Sequence, residues 1–248
     1  MPVSGLGIHF VHARSPEPDA FPLVATHGWP GSVVEFLDIL PLLTDPRAHG
    51  ADPRDAFHVV CPSIPGFGFS PPPRRTGTDP RRVARAFAAL MARLGYERYG
   101  AQGGDYVSAV STLLGVEDAA HCAAIHLNLV LAGPPRDGSD PMTGLTEAER
   151  AHLATTAANA RTETGYYAIQ STKPQTLGHA LADSPVGLAS WIVEKFRAWS
   201  DCGGDVERRF TKDQLLANIT LYWVTNTIAS SCRLYAEQAR MGSFRPSA

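Results

Sequence analysis

Gln102-Gly103-Gly104-Asp105-Tyr106 is the run on which the reading of this chain turns. A strand-like segment, Arg98 to Gln102, precedes it, and an apolar stretch that reads as a helix to about Leu114 follows. An aspartate on such a turn sits at a helix start, where free N–H groups and the positive end of the dipole favour a carboxylate. Glycines just before it let the chain turn sharply and keep neighbouring side chains away. Held there, an ionised Asp suits attack on an electrophilic carbon with formation of an ester. Taken alone, the run fits an ordinary aspartate helix cap better.

The segments around it alternate in character. Gly7 to His12 and Pro22 to Thr26 read as strands, the second running into the turn His27-Gly28-Trp29-Pro30-Gly31. Ser32 can cap a helix reaching Leu43, with Val33, Phe36, Leu37 and Leu40 on one face. Phe57 to Cys61 is a further strand, Arg81 to Leu94 an amphipathic helix stopped by Gly95, and Cys122 to Leu127 another strand. Repeated strand-then-helix units predict an α/β fold with a mostly parallel, doubly wound sheet. After Ala132 only helical patterns remain, over Thr146 to Arg161, Thr176 to Ala182, Pro185 to Ser200 and Lys212 to Tyr235. The expected division is a partial core over 1–132, an all-helical cap over 133–240 and a tail over 241–248.

Composition narrows the function classes. A length of 248 residues with 44% apolar content allows one core plus a smaller inserted lid. A net charge of -2 gives no electrostatic case for nucleic acid or an anionic membrane. No run approaches the roughly 18–20 apolar residues of a membrane span, and the first twenty residues lack a signal-peptide core. Cys61, Cys122, Cys202 and Cys232 are scattered without metal-site spacing, which fits reduced thiols and a cytoplasmic location. No cofactor or metal is implied.

Two further loops carry chemistry. Thr26 to Ser32 follows a strand, where the backbone N–H of Trp29 could join that of Tyr106 in binding a developing oxyanion. His27 belongs to this loop and is read as orienting its backbone rather than as a base. Pro62-Ser-Ile-Pro-Gly-Phe-Gly-Phe-Ser70 is a rigid glycine-and-aromatic loop. In the cap, Gly165-Tyr166 to Pro174, Asp183 to Gly187, Trp191 to Phe196, Leu221 to Trp223 and Arg233 to Tyr235 complete a set of blocks. Together, in this order from Gly5 to Glu237, they resemble the microsomal-type epoxide hydrolases of the α/β-hydrolase fold.

The resemblance implies a nucleophile at Asp105, a pair of hydrogen-bond donors to the epoxide oxygen at Tyr166 and Tyr235, and a hydrophobic epoxide as substrate, contacted by Trp29 and Phe67. Opening an epoxide creates an alkoxide, so a nearby phenol lowers the barrier on chemical grounds as well. Self-association is left open. Val107 stands where the family has a small residue and is expected to crowd the turn. The family's closing His-Phe segment and its acid partner are not found; the nearby position 128 is an asparagine, and the last histidine is His179. The family's N-terminal segment is also expected to be missing. The chain therefore reads as an excerpt able to form an ester on Asp105 but slow to release it, with Cys122–Leu127 left as an apolar sheet edge. A non-catalytic binding remnant and a haloalkane dehalogenase are the alternatives; the tyrosine pair speaks against the second.

Overall fold

The computed structural model describes residues 1–130 and 137–241. The expected boundary at 132–133, the Gly133 to Pro135 turn and residues 242–248 of the tail lie outside them. A two-stranded hairpin, β1 (Pro2–Val3) and β2 (Leu6–Gly7), leads into β3 (Phe10–Ala13). β3 joins a five-stranded sheet with β4 (Phe21–Thr26), β5 (Phe57–Pro62), β6 (Tyr99–Gly103) and β7 (Cys122–Leu127), in the order β3-β5-β4-β6-β7. Only β3 runs antiparallel, pairing Val11 with Cys61; the remaining pairs are parallel, with Val24 opposite both Val60 and Ala101.

Strand periodicity sorts the two faces. Val24, Val60 and Ala101 point to one face and pack with Val83, Phe87, Leu90, Val110 and Leu113. These come from α2 (Pro80–Arg93) and α3 (Ser108–Glu117). Asp79 caps α2 by accepting from the Arg82 N–H, and Gly95, at φ +84°, ends it. On the other face Ala25, Val59 and Cys61 meet Val33 and Leu40.

The helix expected from Ser32 to Leu43 is broken. A 3-10 turn covers Val33–Phe36 and a short α1 covers Leu40–Thr44. Pro41 has no N–H to give the Leu37 carbonyl, so an α-helix cannot run through it, and Leu37 is exposed rather than inward. Among the described residues β7 pairs only with β6 and leaves Ile125 exposed on the sheet edge.

The cap consists of α4 (Glu147–Glu163), α5 (Gly165–Thr172), α6 (Pro174–Asp183), α7 (Pro185–Ala198), α8 (Lys212–Thr225) and α9 (Ile228–Met241). The single helix expected over Lys212–Tyr235 is two, because Asn226 adopts φ +52° and closes α8 with a left-handed cap. Leu188, Ile192, Ile219, Ile228 and Tyr235 belong to the same hydrophobic cluster as the sheet and α2. The cap is thereby packed onto the core. No helix of the described residues is long and apolar enough to cross a membrane.

Candidate active site

Asp105 opens the 3-10 turn Asp105–Val107 between β6 and α3, half-buried, at φ +51°. A side chain in the left-handed region is uncommon and strained, and such residues cluster where function requires them. Here the aspartate itself makes the turn, while its glycine neighbours make room. A Cβ on Gly103 would lie 2.4 Å from Oγ of Ser111, and one on Gly104 would touch Asn128. Val107 turns away from solvent. It is buried in the main cluster, and α3 starts immediately after it.

The loop after β4 closes over the aspartate. The Trp29 N–H donates to Oδ1 of Asp105 at 3.2 Å. A Cβ on Gly28 would come within 2.5 Å of the Asp105 Cβ, so only glycine allows this approach. Tyr106 continues from Asp105 along the backbone of the Asp105–Val107 turn.

His27 is wholly buried. Its Nε2 accepts from the Ile64 N–H at 3.2 Å, which leaves Nδ1 to carry the proton and donate to the Gly28 carbonyl at 3.0 Å. Burial lowers its pKa to about 4 against a smaller opposing contribution from that backbone bond, so it is neutral at pH 7. Its role is to bind two loops together.

From the cap, α8 grips the same loop. Asn218 donates through Nδ2 to the Pro30 carbonyl at 2.7 Å and accepts from the Ser32 hydroxyl at 2.7 Å. The Tyr222 hydroxyl donates to the Gly31 carbonyl at 2.7 Å.

Above Asp105 lies an aromatic cage. The Trp29 ring stacks on Tyr166 at 5.4 Å and 6°, and meets Tyr235 edge-on at 5.8 Å. Tyr166 and Tyr235 are 5.9 Å apart, centre to centre, with Trp199 5.0 Å from Tyr166. Burial pushes the Tyr166 phenol up to about 12, helped by the negative charge of Asp105 and opposed by a hydrogen bond with Tyr235. Asp105, Tyr166 and Tyr235, far apart in sequence, thus converge. Phe67 does not join them. It is buried beneath the loop against His27 and Tyr222; like Tyr166 and Tyr235, it is not among the residues that line the cavity beside Asp105.

Asp105 and Trp29 open on a cavity of about 890 Å³ that runs along the sheet face past Leu23, Ala25, Gln102 and His126 to Trp199 of the cap. Two wall residues escaped the sequence reading. Lys195 is buried on α7, its Nζ 4.9 Å above the Tyr166 ring and 5.4 Å above that of Trp199. Glu35, on the turn after the loop, brings its carboxyl to Gly31. A single Lys or Glu in an amphipathic segment reads as a solvated group, which is why neither stood out. Among the described residues no group of three or more His, Cys, Asp or Glu could hold a metal.

Residues 22–176 match the model of the alpha/beta hydrolase fold, and residues 1–36 match that of the epoxide hydrolase N terminus. The chain belongs to the alpha/beta hydrolase fold family. The match at 1–36 takes in β1 to β4 and the loop that carries Trp29. A Stigmatella aurantiaca protein provisionally named an epoxide hydrolase is 52% identical over 237 residues, covering 96% of this chain and 53% of that protein. Epoxide hydrolase 1 of Sus scrofa is 41% identical over 263 residues, covering 97% and 58%. The crystal structure of juvenile hormone epoxide hydrolase from the silkworm Bombyx mori superposes with a TM-score of 0.84 at 37% identity, covering 95% of this chain and 59% of that one. The chain spans little more than half the length of the curated relatives it matches.

Proposed function

We propose that this chain carries the ester-forming half of an epoxide hydrolase acting on a hydrophobic epoxide without a cofactor. The observation that supports it most is the Asp105 carboxylate, hydrogen-bonded to the Trp29 N–H at the mouth of a largely apolar cavity with two tyrosines close by. In this reading an Asp105 oxygen attacks an epoxide carbon and the C–O bond of the ring breaks. The alkoxide takes a proton from Tyr166 or Tyr235, whose phenols act as general acids. The N–H of Trp29, with that of Tyr106, would hold the ester's carbonyl oxygen when water later attacks it. That second step needs a base. His27 is engaged on both ring nitrogens and held neutral, so it is not assigned the role. The polypeptide by itself is therefore proposed to accumulate the ester. Four free, buried cysteines fit the proposed cytoplasmic location.

Incubation with a small aryl epoxide, followed by intact-mass measurement and peptide mapping, tests this. The expected result is a mass gain equal to the epoxide, located on Asp105 and lost in Asp105→Asn. Neither adduct nor diol would overturn the reading. Repeated turnover to diol would keep the epoxide chemistry but show that a base within the chain completes it.

A further inference from the structure

The His27–Gly31 turn is approached by two carboxyl groups, not one. Asp105 packs where a Cβ on Gly28 would stand, and Oε2 of Glu35 lies 2.1 Å from where a Cβ on Gly31 would stand. Both residues line the same cavity. Glu35 is exposed along part of its length at the cleft, but its carboxyl end turns in against the loop, with a hydrogen bond to the Gly28 backbone. The groups facing it are Asp105 from the elbow, Cys61 from β5 and Tyr222 from α8, with Lys195 of α7 in the same cavity wall. Two carboxylates held against one short turn do not both ionise readily.

We propose that Glu35 is a positioning acid for the ester-forming step: it holds a proton beside Asp105, so that the pair carries one negative charge, and gives that proton up once Asp105 is esterified. The inference rests on the epoxide-opening reading of Asp105. Burial first, and the charge of Asp105 second, raise the Glu35 pKa to about 8 against the opposing Gly28 bond, which leaves it mostly protonated at neutral pH.

Proton accounting makes the idea specific. Asp105 carboxylate plus epoxide gives an ester and an alkoxide; the alkoxide takes a phenolic proton, and the phenolate must recover one. Without an internal donor, each ester formed draws one proton from solution. Esterification removes the Asp105 charge that holds the Glu35 proton in place, so Glu35 becomes the stronger acid at the moment a proton is needed. Its carboxylate then carries the charge that Asp105 has lost.

Two measurements on the full chain test it. Proton uptake during a single round of ester formation, followed with a pH indicator near neutrality, is expected to fall clearly below one per ester, and to reach one in Glu35→Gln. Gly31→Ala, whose new methyl displaces the Glu35 carboxyl, should behave like Glu35→Gln. Equal uptake of one proton in native protein and variants overturns the proposal.

The second readout needs no substrate. A protonated-carboxyl infrared band should titrate near pH 8, vanish in Glu35→Gln, and shift to lower pH in Asp105→Asn, by roughly a unit. A band that ignores Asp105→Asn, or is already lost in the ordinary carboxylic range, overturns the proposal even where esters form. The expected band without any ester on Asp105 would instead remove the epoxide reading while leaving the coupled pair standing.

Discussion

The backbone N–H of Trp29 donates to Oδ1 of Asp105 at 3.2 Å, across 76 residues of sequence. The bond ties the loop after β4 to the elbow after β6, two neighbouring parallel strands paired through Thr26 and Gly103. It explains why the loop needs glycine at position 28 and why cap residues contact it. Replacing Asp105 by Asn keeps the size of the side chain but removes the nucleophilic charge. Ester formation from an aryl epoxide should fall by about 10³-fold or more, with little change in melting temperature. Rapid quench with intact-mass detection reads the first, and a thermal melt the second.

Gly28→Ala should damage both stability and chemistry. The new methyl meets the Asp105 Cβ and carboxyl, held by the elbow backbone, rather than the far end of a mobile side chain. Overpacking of this kind costs about 1–3 kcal/mol, readable as a lower urea midpoint at unchanged slope. A variant as stable and as reactive as the native chain would show that the loop is looser than this geometry.

The tyrosine pair should act jointly. Tyr166→Phe or Tyr235→Phe alone leaves one phenol beside Asp105 and should slow ester formation about ten-fold or more, whereas the double variant should lose about 10²–10⁴-fold. The single-turnover rate constant distinguishes these outcomes from simple loss of packing. Phe keeps the ring stacked on Trp29.

Much of this was legible in the sequence because it is written in local patterns. Alternating apolar strands, the amphipathic spacing of Arg81 to Leu94 and the Gly95 stop gave the sheet and α2, and the Cys122–Leu127 strand has the bounds expected of it. The convergence of Asp105, Tyr166 and Tyr235 was reached through the family resemblance, since no periodicity links residues on an elbow to residues on two cap helices. What escaped was set by tertiary contact. Pro41 and Asn226 broke helices whose apolar spacing was continuous. Phe67 was assigned to the substrate through the resemblance, and it is buried against His27 and Tyr222 as the loop's own composition suggests. Lys195 and Glu35 carry no motif of their own and are placed in the cavity wall only by the fold.

Asn218 is the clearest positioning residue of the cap. Truncation in Asn218→Ala strands the Pro30 carbonyl and the buried Ser32 hydroxyl. An unsatisfied buried polar group costs about 1–3 kcal/mol. The variant should melt at lower temperature and form the Asp105 ester more slowly, because the Trp29 N–H loses its support. Loss of stability without any change in the ester-forming rate would limit Asn218 to holding the cap on the core.

Acid should weaken the fold through His27. Its folded-state pKa, about 4, lies below the ordinary 6.5 because burial penalises the cation and no opposite charge compensates. Between those values the unfolded chain binds the proton that the folded chain refuses, so stability rises with pH across this window and is lost as pH falls from about 6.5 toward about 4. For a fully buried group the shift corresponds to roughly 3 kcal/mol at most. Urea unfolding at a series of pH values should show that slope, and His27→Gln should flatten it while lowering stability at neutral pH, since glutamine cannot reproduce both the Ile64 and Gly28 bonds in the imidazole's geometry. A native chain whose stability is flat across the window would mean that the two loops part and admit water to His27 before it is protonated.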